Sequence, residues 1–131
     1  MFTTSALGDV RVLDISTGIA GPLCAKILGD FGADVIKVEP PEGDIPRHRP
    51  PFSEDDPSLE KSLLFLLLNL NKRGITLDIE KNEGADILGK LVMTADLIVE
   101  NFKPGYLESR GLDFTILHSI NPGLIMTSIT P

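Results

Sequence analysis

The run Thr17-Gly18-Ile19-Ala20-Gly21-Pro22 follows an apolar segment and precedes a helical pattern, which is the geometry of an anion site. Backbone N–H groups at a helix start have no partner within the helix, and the helix dipole puts partial positive charge there. Small side chains would let a phosphate approach that backbone. The run is not a G-x-G-x-x-G fingerprint, and Pro22 removes one donor, so a plain tight turn is an equal reading. Further on, Asn69-Leu70-Asn71-Lys72-Arg73-Gly74 sets two cations beside a strand boundary. Val99-Glu100-Asn101-Phe102-Lys103-Pro104-Gly105 then ends a strand on an amide and an aromatic ring. An amide can hydrogen-bond a ligand, and a phenyl ring can pack on a heterocycle or an alkyl arm.

The elements that must position these residues follow from periodicity. Val10–Ile15 reads as a strand. Ala20–Phe31 reads as a helix with an apolar face of Ala20, Leu23, Cys24, Ile27, Leu28 and Phe31, stopped at Gly32. Ala33–Glu39 is a second strand, so the first forty residues form a βαβ unit. Residues 40–62 hold six prolines and many charges and read as a long surface loop carrying Arg47, His48 and Arg49. Leu63–Leu70 fits either a buried strand or a helix turn. Gly74–Ile79 reads as a strand, Glu80–Ala95 as a helix and Asp96–Glu100 as a strand. Pro104–Arg110 and Asp113–Ile120 read as short helices, and Gly123–Ile129 as a last strand. This alternation predicts an α/β, Rossmann-like parallel sheet with helices on both faces. In such a sheet the strand-to-helix turns share the carboxyl edge, where ligands bind.

Composition narrows the functions. The 131 residues suit one domain, and 42% hydrophobic with 24% charged residues is ordinary for a globular chain. A net charge of −7 opposes general nucleic-acid binding, which needs a basic face. It leaves room for one small anion held by local cations. A single cysteine, Cys24, forms no internal disulfide and fits a reducing cytoplasm; its place on the expected apolar face reads as a structural thiol. The longest apolar run, Leu63–Leu68, is too short to span a bilayer, and no signal peptide is visible at the start. His48 and His118 have no metal-ligand spacing, and no metal is expected. Glu39 reads as a solvated strand end. Asp14, Asp78 and Asp96 read as strand-end or cap residues.

Taken in order, the turn at 17–22, Ile36-Lys37-Val38-Glu39-Pro40, Asn-x-Asn-Lys-Arg at 69–73 and Val-Glu-Asn-Phe-x-Pro-Gly at 99–105 resemble the amino-terminal part of the class III CoA-transferases. That family includes carnitine CoA-transferase, formyl-CoA transferase and α-methylacyl-CoA racemase. The resemblance runs from about Leu7 to Pro131 and covers roughly the first third of a typical member. It implies that residues 1–131 are the CoA-binding part of an incomplete large domain, without the family's second domain and C-terminal return segment. It implies CoA or an acyl-CoA as ligand, with Gly18, Ile19, Ala20, Lys72, Arg73, Asn101, Phe102 and Arg110 at matching positions. Arg110 sits one place later than in the family's Leu-Glu-Arg-x-Gly, since this chain has Leu107-Glu108-Ser109-Arg110-Gly111. One step along a helix turns a side chain by about 100°.

The resemblance also implies a covalent mechanism, in which an aspartate attacks an acyl-CoA thioester and CoA passes to a carboxylic acid. No aspartate here maps onto that nucleophile, so no catalytic residue is expected in the chain and no turnover from it alone. A missing C-terminal polypeptide or a second subunit is the implied partner, the family forming interlocked dimers. Transferase, racemase-like member and non-catalytic CoA-binding or partner-docking module stay open. A receiver-type signalling domain lacks its late lysine, because the last strand ends Ser128-Ile129-Thr130-Pro131, and a nicotinamide dehydrogenase lacks the glycine fingerprint.

Overall fold

The computed structural model describes residues 5–130. Five strands, β1 (Arg11–Asp14), β2 (Asp34–Glu39), β3 (Lys72–Thr76), β4 (Leu97–Glu100) and β5 (Ile125–Ser128), form one sheet in the order β3-β2-β1-β4-β5. Every neighbouring pair is parallel. The order turns back on itself between β1 and β4, so the sheet is doubly wound with its switch point there.

Helices α1 (Ala20–Asp30) and α2 (Leu63–Leu68) lie together on one face, while α3 (Asn82–Val92) and α4 (Phe114–Ile120) lie on the other. The two faces have separate cores. Val12, Val35 and Val99 meet Ala25 of α1, whereas Leu13, Ile36 and Ile98 meet Leu88, Val92 and Leu117. Alternate residues of each strand feed alternate faces, as the pleat requires.

Helix α1 forms where its periodicity predicts, but it buries another face. Gly21, Pro22, Ala25 and Gly29 point inward, and Leu23, Ile27 and Phe31 are exposed. The reason is the distance of approach. A Cβ on Gly21 would fall 2.2 Å from the Ser16 side chain, and one on Gly29 would fall 3.3 Å from Val35. Only small residues let this helix lie so close to the sheet.

The ambiguous Leu63–Leu70 stretch is helical. Ser62 caps it, accepting from the N–H of Phe65 at 3.3 Å while its hydroxyl donates to Pro46 O and Arg49 O. A buried serine with three partners fixes the helix start. The Pro-rich loop is ordered by the same contacts and contains two short 3-10 turns, Ile45–His48 and Ser53–Asp55. Expected strand and helix limits are otherwise trimmed by one or a few residues, with two exceptions: the expected Pro104–Arg110 helix is only a 3-10 turn at Glu108–Arg110, and β3 begins at Lys72 and ends at Thr76, earlier than expected. Lys72 and Arg73 therefore lie inside a strand. No described helix is long and apolar enough to cross a membrane.

Candidate cofactor edge at the switch point

The carboxyl ends of β1 and β4 are joined by one side chain. Asn101 Oδ1 accepts from Thr17 N at 2.8 Å, and its Nδ2 donates to Thr17 O at 2.7 Å. Glu100, buried, accepts from the N–H of Phe102 at 2.8 Å and sets the backbone that carries the ring.

Gly18 has φ +77°, a conformation that costs other residues strain, and its N–H donates to Asp44 Oδ1 at 2.8 Å. Its N–H is thus already committed to a carboxylate. Among the described residues, nothing accepts from the N–H groups of Ile19, Ala20 and Gly21. The N–H groups left without a partner thus begin one residue beyond Gly18, at the first turn of α1.

Two cavities flank the Thr17–Asn101 clasp. One, about 390 Å³, is lined by Thr17, Gly18, Ile19, Arg49, Leu64 and Asn101. The other, about 450 Å³, includes Val38, Pro40, Leu77, Phe102 and Tyr106 in its walls. Phe102 and Tyr106 stack with ring centroids 4.5 Å apart. Arg110 lies over the far side of that stack, 3.7 Å from the Tyr106 centroid, and donates to Glu80 Oε1 at 3.1 Å. Arg110 thus braces the aromatic wall and is absent from the lining of either cavity.

Lys72 and Arg73 diverge, and neither lines a cavity at this edge. The Lys72 side chain is 1% exposed, and its ammonium donates to Asp14 Oδ2, Pro22 O and Asn69 Oδ1, each at 2.8 Å. All three of its donors are engaged beneath α1, so the expected phosphate contact has no free donor. Burial lowers its pKa, against the pull of Asp14. Arg73 pairs in register with Ile36, near the amino end of the sheet, and forks onto Asp34 at 2.7–3.0 Å. The fork holds the Asp34 carboxyl below its usual range.

Other side chains also depart from their expected roles. Glu39 is buried and not solvated: Arg47 donates to both of its oxygens, at 2.6 and 2.9 Å. Arg47 in turn covers the Phe65 ring at 3.6 Å, which removes it as a free ligand cation. Asp14, Lys37 and Asp44 form a buried charge cluster with Lys72. Lys37 sits among the apolar residues of β2, at 2% exposure. Arg49 is the Lys or Arg residue that lines one of these two cavities; its guanidinium makes no hydrogen bond or ion pair with another described residue. Cys24 is half-buried and unpaired. No group of His, Cys, Asp and Glu among the described residues is arranged to hold a metal.

A five-stranded parallel sheet in the order β3-β2-β1-β4-β5, with helices on both faces, defines the doubly wound, Rossmann-like class of α/β protein. Within that class the chain belongs to CoA-transferase family III, whose family model matches residues 7–131. It is 46% identical over 127 residues to formyl-CoA:oxalate CoA-transferase of Rhodopseudomonas palustris, covering 96% of this chain and 29% of that protein. It is 43% identical over 130 residues to the succinyl-CoA–L-malate CoA-transferase beta subunit of Chloroflexus aurantiacus, covering 98% of this chain and 31% of that protein. A crystal structure of a CAIB/BAIF family protein from Brucella suis superposes with a TM-score of 0.87 at 42% identity, over 96% of this chain and 33% of that one. The chain thus spans about 30% of the length of the curated relatives it matches, and it aligns with their family over nearly all of its own.

Proposed function

We propose that the switch-point edge binds the nucleotide end of CoA or an acyl-CoA, as this segment's share of CoA transfer between an acyl-CoA and a carboxylic acid. The observation that carries the reading is the meeting of Arg49 with the partnerless N–H groups at the start of α1, in and beside one cavity. Phosphate oxygens would accept from the N–H groups of Ile19 and Ala20 and pair with the Arg49 guanidinium. The adjoining cavity offers the Phe102–Tyr106 wall and Pro40 to an adenine ring or a pantetheine arm. In this reading Gly18 and Asn101 shape the edge, Arg110 braces it, and Lys72 and Arg73 support the sheet.

The nucleophile belongs elsewhere in the assembled enzyme. Asp14 and Asp44 are buried in ion pairs, and Asp78 accepts from Glu80 N and pairs with Lys81. None is set up to attack a thioester. The chain works with further polypeptide, from its own continuation or a second subunit, and the half-buried single cysteine suits a reducing cytoplasm.

Equilibrium dialysis with CoA and with pantetheine tests the proposal. CoA binding saturably and at least about tenfold tighter than pantetheine would support a nucleotide-end site; about tenfold is one charge-assisted contact. Equal binding of both, or of neither by the folded chain, would refute it.

A further inference from the structure

The ligand-receiving turn is held from below by charges that solvent does not reach. Asp44 follows β2 by five residues, and a turn closed by Gly43 N donating to Pro40 O at 2.9 Å carries the chain back over the sheet edge. The N–H of Asp44 donates to Glu39 Oε2 at 3.0 Å. Its carboxylate then divides its two oxygens. Oδ1 accepts from Gly18 N at 2.8 Å, while Oδ2 faces Lys37 Nζ at 2.9 Å as an ion pair and accepts no hydrogen bond. Lys37 Nζ also donates to Ser16 O. The carbonyl before Thr17 and the amide after it are therefore both held by one buried ion pair. Lys37 is 2% and Asp44 1% exposed.

We propose that Asp44 and Lys37 are positioning residues that set the Thr17–Ile19 turn in its ligand-receiving form. The consequence for affinity rests on the CoA-binding reading; the consequence for the turn does not. Glycine at φ +77° gives this turn its shape but little rigidity, so the shape must be imposed by contacts. Asn101 imposes it at Thr17, and the Asp44–Lys37 pair imposes it on either side. The device needs an acid at position 44. A carboxylate brings one oxygen to the Gly18 N–H and a second, charged oxygen to Lys37 Nζ, whereas an amide has one oxygen and no charge. In Asp44→Asn the single oxygen serves Gly18 or Lys37, not both. Lys37 keeps Ser16 O and, at 3.7 Å, Asp14 Oδ2, but a buried ammonium deprived of its nearest carboxylate is the costlier loss, so the amide oxygen turns to Lys37 and Gly18 is released.

The test combines residue-resolved amide hydrogen exchange with CoA titration of the same chain. Asp44→Asn is expected to speed exchange at Gly18 about tenfold or more, and to raise the Kd for CoA by about tenfold, the worth of one charge-assisted bond. Thr17 N–H, held by Asn101, should change little. The double variant Lys37→Met/Asp44→Asn removes the competing donor. It is expected to bring Gly18 exchange and CoA affinity back to within about threefold of the parent, since a buried pair replaced as a pair costs little. Asn121→Ala is the stability control. It removes three bonds, those donated to Val92 O and Ala95 O and the one accepted from Gly123 N, at the opposite edge of the sheet and should move neither readout.

Unchanged Gly18 exchange in Asp44→Asn, or equal acceleration in Asn121→Ala, overturns the proposal. If Asp44→Asn does not fold, the decision passes to Lys37→Met/Asp44→Ala against Lys37→Met/Asp44→Asn. Only the alanine version should lose Gly18 protection, and equal protection in both overturns the proposal. If the parent chain binds no CoA, the CoA reading fails, and Gly18 exchange alone judges the positioning role.

Discussion

Asn101 and Thr17 form a closed two-bond ring across the switch point, the amide of one accepting from the N–H and donating to the carbonyl of the other at 2.8 and 2.7 Å. The two residues are 84 positions apart, so the ring joins the first βα turn to the loop after β4 and sets the spacing between the two cavities. Asn101→Ala is expected to lower unfolding stability by about 2 kcal/mol, from two partly buried hydrogen bonds at about 1 kcal/mol each. Asn101→Asp keeps the acceptor but sets a carboxylate against Thr17 O, so it should not rescue the loss. Urea denaturation of the two variants checks this; an Asn101→Ala chain as stable as the parent would show that the ring contributes nothing.

Lys72 and Arg73, neighbours in sequence, should behave as unrelated residues. Lys72→Ala takes the nearest cation from the buried Asp14 carboxylate, leaving Lys37 at 3.7 Å, and is expected to cost about 3 kcal/mol. Arg73→Ala removes an exposed ion pair with Asp34 and is expected to cost less than about 1 kcal/mol. Denaturant midpoints for the pair provide the measurement. Comparable losses would contradict the burial that separates them.

The Glu39–Arg47 pair should give the protein an acid limb. Burial pushes the Glu39 carboxyl up, but the hydrogen bonds from Arg47 and from Asp44 N, with the charges of Arg47 and Lys37, bring it below its ordinary 4.5. A carboxyl with a lower pKa folded than unfolded adds stability above the unfolded value. That stability is lost as pH falls through the folded value. Glu39→Gln is therefore expected to be less stable than the parent near neutrality, with the gap narrowing as pH drops below about 4.5. Thermal melts across that range would reveal the convergence, and a gap that widens in acid would have the wrong sign.

The aromatic wall should matter for ligand more than for fold. Phe102 is partly exposed and lines the larger cavity. Phe102→Leu keeps apolar bulk but gives up the stack on Tyr106, about 0.5–1.5 kcal/mol of ring contact. We expect CoA affinity to fall about five- to tenfold, with a melting temperature within a few degrees of the parent. Affinity equal to the parent's would remove the wall from the site.

Much of this was legible in the residues. The order of strands and helices, the parallel sheet and the two turns at its carboxyl edge follow from periodicity and from Gly and Pro punctuation. The buried face of α1 was not legible, because hydropathy favours Leu23, Ile27 and Phe31 while close approach to the sheet selects Gly21, Ala25 and Gly29. The roles of the cations were hidden for a related reason. Lys37, Arg47 and Lys72 look like surface charges in a sequence, and only tertiary contacts with Asp44, Glu39 and Asp14 show them to be internal. Arg49, in the same Pro-rich loop as Arg47, is left facing the cavity because Arg47 takes the carboxylate.

On the proposed function, CoA sits at the edge between Ile19, Arg49 and Asn101. The first experiment is calorimetric titration of the chain with CoA, beside Arg49→Ala and Arg73→Ala. Saturable one-to-one binding is expected, weakened about tenfold by Arg49→Ala, as for one lost phosphate contact, and unchanged by Arg73→Ala. Binding that Arg73→Ala weakens and Arg49→Ala does not, or no binding by a folded chain, would contradict the proposal.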